Sequence, residues 1–153
     1  MNFQKHFIKA AVLISLLLAS RFSFAQDLIM LRVKQNFPET MVSLQTAIKQ
    51  TGYTISRVQR VDIGLTKSGF KTDKYRVVFF GKAKEVDTLI KNHPDISPFL
   101  PLKISIFAEN NETILVSNNP LIMQRYFKKV PKHYFSQWEK DVRNIFKLSS
   151  IIE

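Results

Sequence analysis

Residues 28–52, LIMLRVKQNFPETMVSLQTAIKQTG, contain the pattern that decides the fold. The first six alternate between two sides, as in a strand with one buried face. Asn36 then supplies a helix cap with Glu39 three residues later, and apolar residues recur at helical spacing until Gly52. Glycine there permits the left-handed conformation that ends many helices. The stretch therefore predicts a strand followed at once by an amphipathic helix.

The next part of the chain predicts two more strands. Residues 53–63 (YTISRVQRVDI) are rich in β-branched side chains, which favour a strand. Residues 64–73 contain two glycines and predict a loop with room for one helical turn. The run YRVVFF at residues 75–80, closed by Gly81, is typical of a strand that is buried on both faces near the middle of a sheet.

The following residues predict shorter elements. A brief apolar helical face is ended by Asn92-His93-Pro94, and the prolines after it favour an extended stretch. Two alternating segments flank a turn that contains two asparagines, which predicts a β-hairpin. Another short helix is expected after Asn119-Pro120. These elements lie at residues 86–92, 94–101, 103–117 and 121–127.

Residues 131–153 predict a C-terminal amphipathic helix. Its apolar side chains form one stripe, with charged residues opposite. Three interpretations remain open: the stripe docks on the protein's own sheet or on a second copy, lies on a membrane surface through Trp138, or binds a partner. The stripe consists of Tyr134, Phe135, Trp138, Val142, Ile145 and Phe146.

Together these elements predict an α+β fold. We expect a mixed, mainly antiparallel sheet of about five strands with helices on one face, plus the C-terminal amphipathic helix. Residues 26–130 form the α+β domain in this interpretation, and residues 131–153 form the helix. A chain of this length suits one domain with its own core.

Residues 1–25 have the pattern of a secretory signal peptide. Lys5 and Lys9 precede an apolar run of about ten residues, which is too short to span a bilayer. Small residues then predict cleavage between Ala25 and Gln26. The alternative is an uncleaved N-terminal anchor. We expect an exported protein, periplasmic or secreted.

The composition narrows the function. Three of the 23 Lys and Arg residues and none of the 12 acids lie in residues 1–25, so the net charge falls from +11 to +8 after cleavage. No basic block occurs, which argues against a nucleic-acid partner and favours a solvated surface or contact with an anionic ligand. The absence of cysteine excludes disulfides and thiol chemistry.

A series of short motifs lies between residues 37 and 127: Phe37, Gly52, Asp62, Phe80-Gly81, Leu100-Pro101-Leu102, Glu109, Ser117 and Asn119-Pro120. In this order they resemble the bacterial domain of unknown function 302 family. The resemblance implies an α+β fold, often a dimer, with no agreed activity. Relatives usually carry a histidine after the aspartate and Asn-Pro after Phe-Gly, where this chain has Ile63 and Lys82-Ala83.

The sequence contains no complete catalytic motif. His93 and His133 are far apart and lack the spacing of a metal site, so we predict no catalytic residue, metal or cofactor. Asp62 ends the second predicted strand, and Glu109 ends a strand of the predicted hairpin. If these strand ends converge, a polar ligand pocket rimmed by Lys67 and Lys82 results. The alternative is that both acids cap turns or pair with nearby lysines.

Two classes of function follow. The first is a non-enzymatic, exported binding or assembly module, dimeric through its sheet or its C-terminal helix. The second is an enzyme or ligand-binding protein with a polar pocket around Asp62 and Glu109. The first class is favoured, because the sequence contains no catalytic motif.

Overall fold

The computed structural model describes residues 27–151. The predicted signal peptide, residues 1–25, and its cleavage site between Ala25 and Gln26 lie outside this range. The strands are β1 (Leu28–Val33), β2 (Thr54–Arg60), β3 (Tyr75–Gly81), β4 (Leu102–Glu109) and β5 (Glu112–Asn118). The helices are α1 (Phe37–Gln50), α2 (Val61–Lys67), α3 (Ala83–Asn92), a 3₁₀ helix (Pro94–Phe99), α4 (Pro120–Met123) and α5 (Lys132–Ser149).

The five strands form one sheet in the order β1-β5-β4-β3-β2. All four neighbouring pairs are antiparallel, so the predicted α+β class and strand number are confirmed, and the sheet is antiparallel rather than mixed. Strands β1 and β2 lie at opposite edges. Helix α1 connects them and therefore crosses the whole sheet.

Strand register assigns side chains to the two faces, because paired residues point to the same side. One face carries the buried residues of the core and contacts α1 and α5. This arrangement confirms the predicted helical layer on one face. The apolar sheet residues buried there are Ile29, Val33, Val78, Phe80, Leu102, Ile104, Ile106 and Leu115.

Helix α1 has the ends that its sequence predicts. The Asn36 side chain accepts a hydrogen bond from the Glu39 backbone N–H at 3.2 Å, which satisfies one of the free donors of the first turn. Gly52 adopts a φ of +80° after the helix, a conformation that glycine takes without strain.

Helix α5 belongs to the same core as the sheet. Phe135, Trp138, Val142, Ile145 and Phe146 are buried, and the helix contacts α1, α4 and β1. Of the three interpretations of the apolar stripe, the structure therefore shows docking within the chain. No helix within residues 27–151 is long and apolar enough to cross a bilayer.

Three local predictions were wrong. Strand β2 ends at Arg60 instead of Ile63, and the helical turn allowed for in residues 64–73 is α2, which already begins at Val61, although no side chain caps it. The proline-containing stretch after α3 forms a 3₁₀ helix instead of an extended segment, since Pro94 occupies a first-turn position that needs no N–H donor. Helix α4 ends at Met123, four residues earlier than expected.

Candidate functional site

One face of the sheet, here called the open face, lies opposite the helical layer. Its middle row crosses all five strands through Met30, Val116, Ser105, Val77 and Gln59. The row nearer the turn between β4 and β5 contains Arg32, Ile114, Phe107 and Tyr75. The row on the other side contains Leu28, Asn118, Lys103, Phe79 and Arg57.

The open face carries apolar side chains on β1, β5, β4 and β3, and several of them are in contact with solvent. Met30 is 54% exposed and Leu28 is 40% exposed, and Val77, Phe79 and Val116 are partly exposed. The run YRVVFF predicted a strand buried on both faces. In the structure Val78 and Phe80 lie in the core, while their neighbours Val77 and Phe79 point to the open face. Within one chain, β3 is therefore covered on the helical face but not on the open face.

The two ends of the open face differ in charge. At the turn between β4 and β5, Glu109 and Glu112 both form ion pairs with Arg32 on β1. Lys34 follows β1 at the same end, so the two carboxylates lie among charges of both signs. At the other end, Lys103 and Arg57 are exposed and have no ion-pair partner among residues 27–151. That end is positive.

Asp62 lies in the first turn of α2 and not at a strand end as predicted. Its carboxylate forms an ion pair with Arg76 on β3 and accepts a hydrogen bond from the Ile63 backbone N–H at 2.9 Å. The bond from Arg76 is the main cause that lowers the pKa of Asp62. The guanidinium of Arg76 also sits 5.7 Å from the Phe37 ring centre. These contacts join α2, β3 and the start of α1.

Lys67 is the predicted site residue that shares a depression with Asp62. The depression has a volume of about 420 Å³ and lies between α2 and the segment before β3. Its lining also includes Asp73 and Lys74. Because it is shallow and exposed, the structure provides an open polar surface at this point.

Glu109 lies away from this depression. It belongs to the Arg32 cluster of the open face, whereas Arg76, the partner of Asp62, pairs in register with Ile106 on the helical face. The structure therefore brings Asp62 and Lys67 together but places Glu109 on the other face of the sheet. The strand ends do not converge as the predicted pocket requires. A ligand role for any of these residues stays a prediction.

Lys82, the fourth predicted residue, belongs to a polar cluster that the sequence did not reveal. Its ammonium lies 3.8 Å from the Asp141 carboxylate and 4.5 Å from the centre of the Tyr53 ring. The Tyr53 hydroxyl donates to Asp141 at 2.7 Å. Burial, followed by this hydrogen bond to Asp141, raises the pKa of Tyr53 well above its usual range. The phenol is therefore neutral and ties α5 to the segment before β2.

A second polar contact joins α5 to α3. The Trp138 indole N–H donates to the Glu85 carboxylate at 2.7 Å. Trp138 is only 1% exposed, so a membrane contact through this residue requires α5 to leave the fold. Within the described chain, no three His, Cys, Asp or Glu side chains come together as a metal site requires.

The fold and faces define a class: an α+β protein with a five-stranded antiparallel sheet, one helical layer and one open sheet face. The sequence model of the family "Domain of unknown function DUF302" matches residues 29–147, so the chain belongs to this family. The match extends over most of α5. No curated protein matches the chain significantly.

A solved structure supports the fold. The crystal structure of the uncharacterized conserved protein DUF302 from Bacillus stearothermophilus superposes with a TM-score of 0.73 at 18% sequence identity. The similarity covers 82% of this chain and 99% of that chain. At this identity the likeness establishes a shared fold alone.

Proposed function

We propose that the chain is an exported, non-enzymatic assembly module that forms a homodimer through the open face. The observation that carries the proposal is the set of apolar side chains that β1, β5, β4 and β3 leave in contact with solvent on this face. Strand β3 has the continuous apolar sequence of a strand covered on both sides. A second copy of the same face supplies the missing cover.

The charges of the open face favour one arrangement of the two copies. In a face-to-face dimer whose twofold axis runs across the strands, each strand lies over its own copy in the opposite direction. Glu109 of one copy then lies near Lys103 of the other, because both residues belong to β4 and lie at opposite ends of it. The axis passes through the middle row, so Ser105 meets its own copy at the centre. Packed sheets that align within about 30° preserve this complementarity.

The available area is sufficient for a specific dimer. Five strands spaced about 4.8 Å apart, with about seven residues each rising about 3.4 Å, present roughly 600 Å² per copy. Two copies bury about 1,200 Å², which is the lower end of stable, specific interfaces.

The central test places a charge on the twofold axis. Ser105→Lys puts two ammonium groups opposite each other, whereas Ser68→Lys adds the same charge in the turn after α2 as a control. Sedimentation equilibrium of residues 26–153, which contain every described element, gives the mass over a concentration series. We expect a dimer for the parent and for Ser68→Lys, and a monomer for Ser105→Lys. A monomeric parent, or equal loss in both variants, refutes the proposal.

A charge exchange tests the orientation of the two copies. Lys103→Glu alone and Glu109→Lys alone each place like charges together across the proposed interface, so each weakens the dimer. The double variant restores opposite charges and recovers most of the affinity. If the double variant is weaker than either single variant, the axis does not run across the strands.

Export is the remaining part of the proposal. It is supported by the pattern of residues 1–25, with a basic start, a short apolar run and small residues before Gln26. Expression of the full chain in a bacterial host, followed by fractionation and N-terminal sequencing, tests it. We expect a soluble product outside the cytoplasm that begins at Gln26. An intact chain retained in the cytoplasm contradicts export.

A further inference from the structure

The segment between α4 and α5 carries an unpaired group of cations, here called the basic patch: Arg125, Lys128, Lys129 and Lys132. All four are exposed, and none forms an ion pair with a carboxylate in the described part of the chain. The sequence contains no acidic residue between Glu112 and Glu139. The segment itself therefore carries positive charge only, and no acidic side chain is among the residues that line the depression beside it.

The cations are arranged around one feature. Arg125, Lys128 and Lys132 line a depression of about 510 Å³. Its floor includes Phe127 and Val130, which are buried members of the core. Because these two residues fix the segment to the core, the three cations project from a held backbone. The geometry suits an anionic group that several cations contact at once.

Exposed aromatic rings accompany the cations. Tyr126 is 76% exposed within the same segment, and Phe99 at the end of the 3₁₀ helix is 52% exposed. The Phe99 ring packs edge to face on Phe127 with ring centres 5.1 Å apart, which places it beside the depression. Both rings are therefore available to a partner that approaches the cations.

We propose that the basic patch binds the anionic headgroups of a lipid bilayer, with Tyr126 and Phe99 at the level of the headgroups. Cations attract the negative lipid surface, and aromatic rings prefer the boundary between headgroup and acyl chain. A soluble anion or polyanion uses the cations but leaves the rings in water. The exposed rings therefore favour the membrane. The surface is distinct from the open face, so the two proposals stand or fall separately.

Vesicle sedimentation of residues 26–153 tests this proposal without the apolar N-terminal segment. Vesicles of phosphatidylcholine, with or without one third phosphatidylglycerol, provide the anionic and neutral surfaces. The test variant is Arg125→Gln/Lys128→Gln/Lys132→Gln, and the control, Lys71→Gln/Lys84→Gln/Lys91→Gln, removes as many exposed charges elsewhere. A third variant, Tyr126→Ala, removes one ring and no charge. Circular dichroism verifies that each variant is folded.

We expect binding to the anionic vesicles only. Each cation at an anionic surface contributes about fivefold, so the test variant loses about a hundredfold in partition while the control changes much less. Tyr126→Ala reduces binding as well. Equal losses in test and control variants mean a net-charge effect and overturn the proposal. Displacement by inorganic phosphate at constant ionic strength, or binding to a soluble sulfated polysaccharide without binding to vesicles, overturns it in favour of a soluble anion.

Discussion

The contact between Trp138 and Glu85 makes a quantitative prediction about how α5 is held. The indole N–H donates to a carboxylate across 53 residues of sequence, and the ring packs edge to face against Phe135. Trp138→Phe keeps an aromatic ring in the core but removes the donor and part of the volume. The variant therefore isolates the polar contact more cleanly than alanine does.

The expected loss of folding stability in Trp138→Phe has two contributions. A hydrogen bond to a charged group contributes about 1.5–3 kcal/mol, and the lower end applies because Glu85 is only partly buried. The smaller ring leaves roughly 40 Å³, which at about 24 cal/mol per Å³ amounts to about 1 kcal/mol. We expect Trp138→Phe to lower the free energy of unfolding by about 2.5 kcal/mol.

A double-mutant cycle separates the two contributions. Trp138→Phe, Glu85→Ala and the double variant are unfolded in urea and followed by far-UV circular dichroism, because the substitution removes the only tryptophan. Effects of Glu85→Ala on the first turn of α3 cancel in the cycle. The expected coupling is about 1.5 kcal/mol. Tyr126→Phe, at an exposed ring, serves as the control and should change stability by less than about 0.5 kcal/mol.

A coupling below about 0.5 kcal/mol refutes the reasoning, because it shows that the hydrogen bond adds nothing beyond packing. A coupling near zero together with a large single effect of Trp138→Phe assigns the stability to the shape of the ring alone.

Two further predictions concern pH. The pKa of Tyr53 is raised, so its contribution to folding stability is complete below the ordinary pKa of 10.0 and is lost as pH rises above that value, where only the unfolded state gives up the proton. Tyr53→Phe should therefore reduce the loss of stability at alkaline pH in urea titrations. An unchanged dependence of stability on pH contradicts the assignment. Asp62 has a lowered pKa, so its ion pair with Arg76 contributes above the ordinary value of 3.8 and is lost as pH falls through the lower value of the folded state. Asp62→Asn should therefore reduce the acid sensitivity of thermal unfolding, whereas Asp73→Asn, at an exposed loop position, should not.

The strongest sequence signals predicted the elements that the structure contains. Helix α1 was predictable because a cap, a periodic apolar face and a terminal glycine all agreed. Helix α5 was predictable because its apolar stripe continues over four turns. The periodicity did not predict which surface the stripe packs against. That surface is formed by α1 and the sheet, and their arrangement cannot be read from a local sequence pattern.

The sites were less accessible to prediction. The first turn of α2 was assigned to the preceding strand because it contains β-branched residues and is followed by a glycine, which favour other conformations. This error moved Asp62 from a strand end to a helix and removed the basis for pairing it with Glu109. The cluster of Tyr53, Lys82 and Asp141 joins residues far apart in the chain, and only the tertiary fold brings them together.

The position of β1 has a consequence for the order in which the sheet is completed. Val33 pairs with Thr113 and Leu28 pairs with Asn118, which are separations of 80 and 90 residues. A chain that emerges N-terminus first, as in synthesis or secretion, presents β1 long before β5 exists. This strand must remain unpaired until the β4–β5 hairpin closes beside it. Long-range pairing of this kind slows folding and leaves an apolar strand open to incorrect partners. We therefore expect closure of β1 onto β5 to be a late event, after the hairpin has formed.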